Sequence, residues 1–185
     1  MRRAAFLDRD GTINIEKGYL YQIDDFEFIP GASEAIRMLN EAGYFVAVVS
    51  NQSGIARGYY TEDDVELLHR HIAAELQKSG AQVDTWMFCP HHPHGRGSYG
   101  LPCACRKPLP GMLQEAARRF DLDLNASVMI GDKSVDVEAG SAAGCRSILV
   151  RTGCGAEEEA HISTATEVYD DLLKAAYFIT KGNVP

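Results

Sequence analysis

AAFLDRDGT, residues 4–12, decides the fold. Its four leading apolar residues carry no polar break, so they read as a strand buried on both faces, as in a parallel sheet. The run stops at Asp8, and Asp10 and Gly11 follow at once. The strand therefore delivers carboxylates and a tight turn to its carboxyl end.

The same plan recurs along the chain. FVAVVS (45–50) is a strongly β-branched strand, VDTWMFC (83–89) a third, SVMIGD (127–132) a fourth and SILV (147–150) a fifth. Helical patterns lie between them. Ala32, Ala35, Ile36, Leu39 and Ala42 recur at helical spacing and stop at Gly43. Thr61 is a good N-cap, with Glu62, Asp63 and Asp64 in the first turn. That helix runs to about Ser79, with Val65, Leu68, Ile72 and Leu76 on one face, and Gly80 closes it. Further helices are expected from Pro110 to about Phe120, from Val135 to Ala143, and from Val168 to Ile179. Alternation of strand and helix predicts a doubly wound, Rossmann-like α/β fold with a parallel sheet. It is read as one domain over 1–185, with a loop insertion at 89–105 and no large cap domain.

With 185 residues, 45% of them hydrophobic and 24% charged, the chain has an ordinary globular balance. Its net charge of −8 argues against a nucleic-acid surface. No run of 18 apolar residues is present, and MRRAAFLDRDG has no signal-peptide core. A cytoplasmic monomer acting on a small molecule is expected, with neither nucleic acid nor membrane as partner. Five cysteines, three of them crowded into one loop, point to metal or free thiols rather than disulfides.

In doubly wound folds the ligand sits beyond the carboxyl ends of the strands. Here those ends carry Asp8 and Asp10, then Ser50 and Asn51, then Cys89, then Asp132 and Lys133. Carboxylates converging on one sheet edge repel unless a hard cation joins them, and Mg²⁺ suits oxygen ligands. Asp8, held at a strand end, suits a carboxylate nucleophile. Asp10 can serve as acid and then base. Ser50, Asn51 and a lysine can offset charge on a phosphoryl group.

FLDRDGT, VVSNQSG, the lysine of CRKP and MIGDKSVD, in that order, resemble the haloacid dehalogenase superfamily of phosphohydrolases over about residues 4–152. The resemblance implies Asp8 as nucleophile and Asp10 as acid/base. It implies Mg²⁺ on Asp8, the Asp10 backbone carbonyl and Asp132, with Asp136 supporting that acidic site. Ser50 and Lys107 would steady the phosphoryl group. FLDRDGTIN, Gly18-Tyr19, SNQSGIARG, CPHHP, CRKP and GDK narrow the resemblance to a zinc-carrying subfamily that acts on sugar bisphosphates. In it Cys89, His91, Cys103 and Cys105 correspond to the ligands of a structural Zn²⁺. Glu16, Lys17, Gly18 and Tyr19, with Ser50, Asn51, Gln52 and Ser53, would line the substrate pocket. Arg106, Lys107 and Lys133 would bind the substrate. Related phosphatases with the same zinc loop take histidinol phosphate, which stands as the rival substrate.

The loop CPHHPHGRGSYGLPCACRKP (89–108) also bears a reading from its residues. A closed Cys₃His set is structural, whereas catalytic zinc keeps an open position. His92 and His94 compete with His91 for the fourth place. Buried cysteines without metal, a catalytic zinc, and a non-catalytic zinc module that binds a protein are the alternatives. Elsewhere, Cys145 and Cys154 read as packing thiols and Trp86 as core. His69, His71 and His161 read as solvated, Asp24 and Asp25 as turn residues, and Glu157–Glu159 as a solvated face.

Overall fold

The computed structural model describes residues 1–182. Its sheet has six parallel strands in the order β3-β2-β1-β4-β5-β6. In chain order the elements are β1 (Ala4–Leu7), α1 (Ala32–Glu41), β2 (Phe45–Asn51), α2 (Ser53–Arg57), α3 (Glu62–Lys78), β3 (Thr85–Cys89), α4 (Gly111–Phe120), β4 (Val128–Gly131), α5 (Ser134–Ala143), β5 (Arg146–Val150), α6 (Gly155–Glu158), β6 (Glu167–Tyr169) and α7 (Leu172–Lys181). The doubly wound α/β expectation holds.

Period-two alternation sorts the strand residues between two cores. Ala5 and Leu7 of β1, Val46 and Val48 of β2, and Val128 and Ile130 of β4 face α1, α3 and α7. Ala4, Phe6, Phe45, Ala47, Val49 and Met129 face α4 and α5. Both faces are covered, which is why these strands read as unbroken apolar runs. The α3 cap is as its sequence predicts. Thr61 Oγ1 accepts from the Asp64 N–H at 3.2 Å, and the Asp64 carboxylate accepts from the Thr61 N–H at 2.8 Å.

Two boundaries differ from expectation. The third strand starts at Thr85 rather than 83: the Asp84 N–H still donates to the Val46 carbonyl at 2.8 Å, but the Asp84 carboxylate takes the Val46 N–H at 2.8 Å, and the ladder ends there. Val168 belongs to β6, paired with Leu149, and not to the last helix. That helix begins at Leu172, where Asp171 accepts from the Lys174 N–H at 2.7 Å. Trp86 is half-buried on the edge strand β3 rather than enclosed. No described helix is long and apolar enough to cross a membrane.

Candidate active site

β1, β2 and β4 are adjacent, so their carboxyl ends meet. Asp8 extends the ladder by one step, its N–H donating to Ile130 at 2.9 Å. Gly11 follows at φ +86°, and a Cβ there would lie 2.2 Å from Asp132 Oδ2. Only glycine lets this turn pass so close to a carboxylate. Lys107 comes in from the loop after β3 and is 2% exposed. Its ammonium reaches Asp8 at 2.7 Å, Asp136 at 2.6 Å and the Val49 carbonyl at 2.7 Å. Three acceptors match the three protons of an ammonium.

One lysine does not neutralise this edge. Asp8, Asp132 and Asp136 are all buried and offer oxygens within 4.8 Å of one another. Burial pushes the Asp8 carboxyl up to about 6, with Lys107 opposing and Asp136 and Asp10 adding to the rise. Burial, then the Asp8 charge, pushes Asp132 up to about 8. Lys107 is raised; burial opposes this, but Asp136 and Asp8 outweigh it. Asp136 spends both oxygens, one on Lys107 and one on the Lys133 N–H at 3.0 Å. Asp132 accepts from the Cys154 N–H at 2.9 Å, while its Oδ1 is buried with no partner among the described residues. An unpaired buried carboxylate oxygen beside a second carboxylate fits a hard divalent cation.

Asp10 faces the other way. Arg9 Nη2 reaches its carboxylate at 2.9 and 3.0 Å, and Asn14 and Gln52 each donate to it at 3.0 Å. Burial works to raise its pKa, but Arg9 and these hydrogen bonds outweigh it and hold the carboxyl below its usual range. Gln52 also donates to Ser50 Oγ at 2.8 Å and accepts from the Tyr60 hydroxyl at 2.7 Å. Because Ser50 Oγ accepts there, its own proton is available for the cavity.

The Cys and His loop lies beyond β3. Cys89 Sγ is 2.9 Å from Cys105 Sγ and 3.6 Å from Cys103 Sγ. His91 Nδ1 is 3.7 Å from Cys89 Sγ and 3.4 Å from Cys105 Sγ. Ligands about 2.3 Å from a tetrahedral zinc stand roughly 3.8 Å apart; three of these separations lie near that and the Cys89–Cys105 one is shorter, and the closed Cys₃His donor set suits zinc. His94 is exposed, and His92 is engaged with Arg57 at 3.2 Å, so His91 is the ring that joins the thiols. Immediately downstream, Asn51 and Lys107 exchange hydrogen bonds of 3.0 and 3.1 Å, tying the loop's exit to β2.

A cavity of about 380 Å³ gathers Asp8, Asp10, Glu16, Gly18, Tyr19, Ser50, Asn51, Gln52, Ser53, Lys107 and Lys133. Lys133 pairs with Glu16 at 3.0 Å on its wall. Asp132 lies buried behind it. Lys17 is not brought in; it is exposed and pairs with Glu27 at 3.5 Å. Arg106 is not brought in either. Its Nη1 donates to the His91 carbonyl at 3.1 Å and lines a neighbouring cavity of about 320 Å³.

The sequence reading missed Arg9, Tyr60 and His69. His69 is not solvated but 5% exposed. It stands four residues after Val65 and three before Ile72, on the buried stripe of α3, and that spacing was the available signal. His71 is half-buried against Phe26, while His161 is exposed. Glu157–Glu159 is not merely a solvated face. Glu158 accepts from the first N–H of α5, at Ser134, at 2.9 Å, and Glu159 pairs with Arg151.

Comparison with known proteins bears on this geometry. A family model described as HAD-hydrolase-like matches residues 104–175. The D-glycero-beta-D-manno-heptose-1,7-bisphosphate 7-phosphatase of Pasteurella multocida (strain Pm70) is 47% identical over 154 residues, covering 83% of this chain and 84% of its own. The protein of the same name from Escherichia coli (strain K12) is 43% identical over 184 residues, covering 98% of this chain and 96% of its own. A solved structure of D,D-heptose 1,7-bisphosphate phosphatase from B. bronchiseptica, complexed with magnesium and phosphate, superposes with a TM-score of 0.87. It is 35% identical and covers 97% of this chain and 98% of its own.

Proposed function

We propose a reaction from one premise: this chain belongs to the heptose-1,7-bisphosphate 7-phosphatase family of haloacid-dehalogenase-like hydrolases, and it is a phosphatase. As a phosphatase it is not the non-catalytic zinc module that the loop alone allowed. Its substrate is D-glycero-D-manno-heptose 1,7-bisphosphate and its product the 1-phosphate. The observation that carries this reading is Lys107, whose ammonium joins Asp8 to Asp136 beside the unpaired oxygen of Asp132.

Asp8 attacks the phosphorus of the C7 phosphate. The bond from phosphorus to the C7 oxygen breaks, its electron pair stays on that oxygen, and Asp10 supplies the proton. Water then attacks the aspartyl phosphate while Asp10 takes its proton, and inorganic phosphate leaves with Asp8 restored. The hydrogen bonds around Asp10 favour its anionic form, which suits the base half. Entry of a phosphate dianion adds negative charge beside it and lifts its pKa for the acid half. Lys107 and the Ser50 hydroxyl meet the charge on the phosphoryl oxygens. Asp8, Asp132 and the Asp10 carbonyl would hold Mg²⁺, which would supply further positive charge there when bound.

The second phosphate calls for cations in an acidic chain. Lys133 stands on the cavity wall, and Arg106 lies on the loop side next to Lys107. Gly18, Tyr19 and Glu16, with Asn51, Gln52 and Ser53, line the cavity that would take the sugar. Cys89, His91, Cys103 and Cys105 would hold a structural zinc, which would fix the direction in which Arg106 and Lys107 leave the loop.

Kinetics on both anomers of the heptose bisphosphate, with histidinol phosphate as comparator, test this. The expected kcat/KM for the bisphosphate exceeds that for histidinol phosphate by roughly 100-fold, because the amine leaves the half-buried Lys133 and Arg106 without a phosphate partner. NMR of the product should show the C1 phosphate retained. Preference for histidinol phosphate, or loss of the C1 phosphate, contradicts the reading.

A further inference from the structure

Arg9 has no exposed surface at all. A buried guanidinium is costly unless each nitrogen finds an acceptor. Nε and Nη2 are spent on Asp10, and Nη2 also donates to the Leu20 carbonyl at 3.0 Å. The remaining nitrogen, Nη1, has His69 Nε2 at 3.3 Å as its partner. A guanidinium only donates, so Nε2 accepts and the His69 ring is neutral, its proton on Nδ1. Burial, then the Arg9 charge, pushes this imidazole down to about 3, so it stays neutral at ordinary pH.

The ring does not float. It stacks on Trp86 with centroids 4.7 Å apart and planes 29° apart, and meets Phe88 edge-on at 6.0 Å. Both aromatics sit on β3, while His69 sits on α3. A continuous chain of contacts thus runs from β3 through His69 and Arg9 to the Asp10 carboxylate.

We propose that His69 is a positioning residue for the reaction: as a neutral acceptor wedged against Trp86, it fixes Arg9 and, through Arg9, the carboxylate of Asp10. This rests on Asp10 being the acid/base. Asn14 and Gln52 also hold Asp10, so losing the His69 acceptor loosens the group rather than freeing it. Asp10 acts on the leaving oxygen and on water, so the effect falls on kcat and spares KM.

Two substitutions separate the acceptor from the packing. His69→Phe keeps a ring against Trp86 and removes the acceptor. His69→Gln keeps an acceptor within reach of Arg9 and removes the ring. With the heptose bisphosphate as substrate, H69F should lose about tenfold in kcat with KM unchanged, a typical cost of a loosened catalytic group. H69Q should hold kcat within about twofold even where its melting temperature falls. A kcat that follows melting temperature instead of the acceptor, or an H69F with wild-type kcat, overturns the proposal. Should H69F not fold, His69→Asn takes its place, being polar but too short to reach Arg9. Its kcat must fall where that of H69Q holds. Asp10→Asn is run alongside. If D10N is inactive while H69F is unaffected, only the His69 inference fails. If D10N turns over normally, the acid/base reading fails and the inference with it.

Discussion

The described residues hold two metal-competent clusters, and they are built in opposite ways. The carboxylate cluster stands at the ends of central strands, is wholly buried, and offers hard oxygens around a single ammonium. Among the described residues, Asp132 Oδ1 in it has no partner, which suits a cation. The thiolate cluster sits on an edge strand and a loop, is mostly half-buried, and closes on itself with three sulfurs and one ring nitrogen. An open site with unresolved charge can do chemistry, whereas a closed soft site can only hold its loop. The two are joined through Cys105, Arg106 and Lys107, so the second shapes one wall of the first.

Breaking each cluster in turn should separate these roles. Asp8→Asn removes the proposed nucleophile and should cut kcat by at least about 10³-fold while zinc content, measured by elemental analysis, stays at wild type. Lys107→Met should cost about 10²-fold in kcat. It also strands two buried carboxylates, so urea unfolding should show a loss of about 3 kcal/mol or more. An unchanged stability would mean that Asp8 and Asp136 do not need this lysine. Cys105→Ser should lower the melting temperature and raise KM about tenfold, leaving the Mg²⁺ dependence of turnover as it was. Full kinetics after zinc loss would contradict the structural role of the loop.

The smallest effect probes the side of the carboxylate site that needs no metal. His69 is depressed to about 3 in the fold from an ordinary 6.5. The unfolded chain therefore binds more protons between those values. The stability His69 confers is fully present above pH 6.5 and is lost as pH falls toward 3. Between pH 7 and 5.5 the wild type should lose about 1 kcal/mol relative to H69F, read from urea curves at each pH. Parallel curves would show that His69 is not held neutral.

Much of this was legible because the informative residues lie where a strand stops. AAFL and FVAVVS announce two-sided burial, and the polar residues that follow them mark the active edge. Less was legible where tertiary pairing decides. β6 is three residues long with a charged first residue, too short to show alternation, and it exists because β5 offers a free edge. Arg9 reads as one charge among several in DRDG, and nothing in that string says its side chain turns inward to find His69, sixty residues away. Arg106 follows Cys105 directly, yet its guanidinium turns to the His91 carbonyl, a choice of rotamer that spacing does not encode.

In the proposed function the chemistry belongs to the carboxylates, and the thiolate loop only supports it. The most direct measurement is to quench the enzyme with acid during turnover of the heptose bisphosphate and map the covalently bound phosphoryl group by peptide mass spectrometry. The expected result is that group on Asp8, and its disappearance in Asp8→Asn. A phosphoryl group on a loop residue, or turnover by Asp8→Asn without any on position 8, would contradict it.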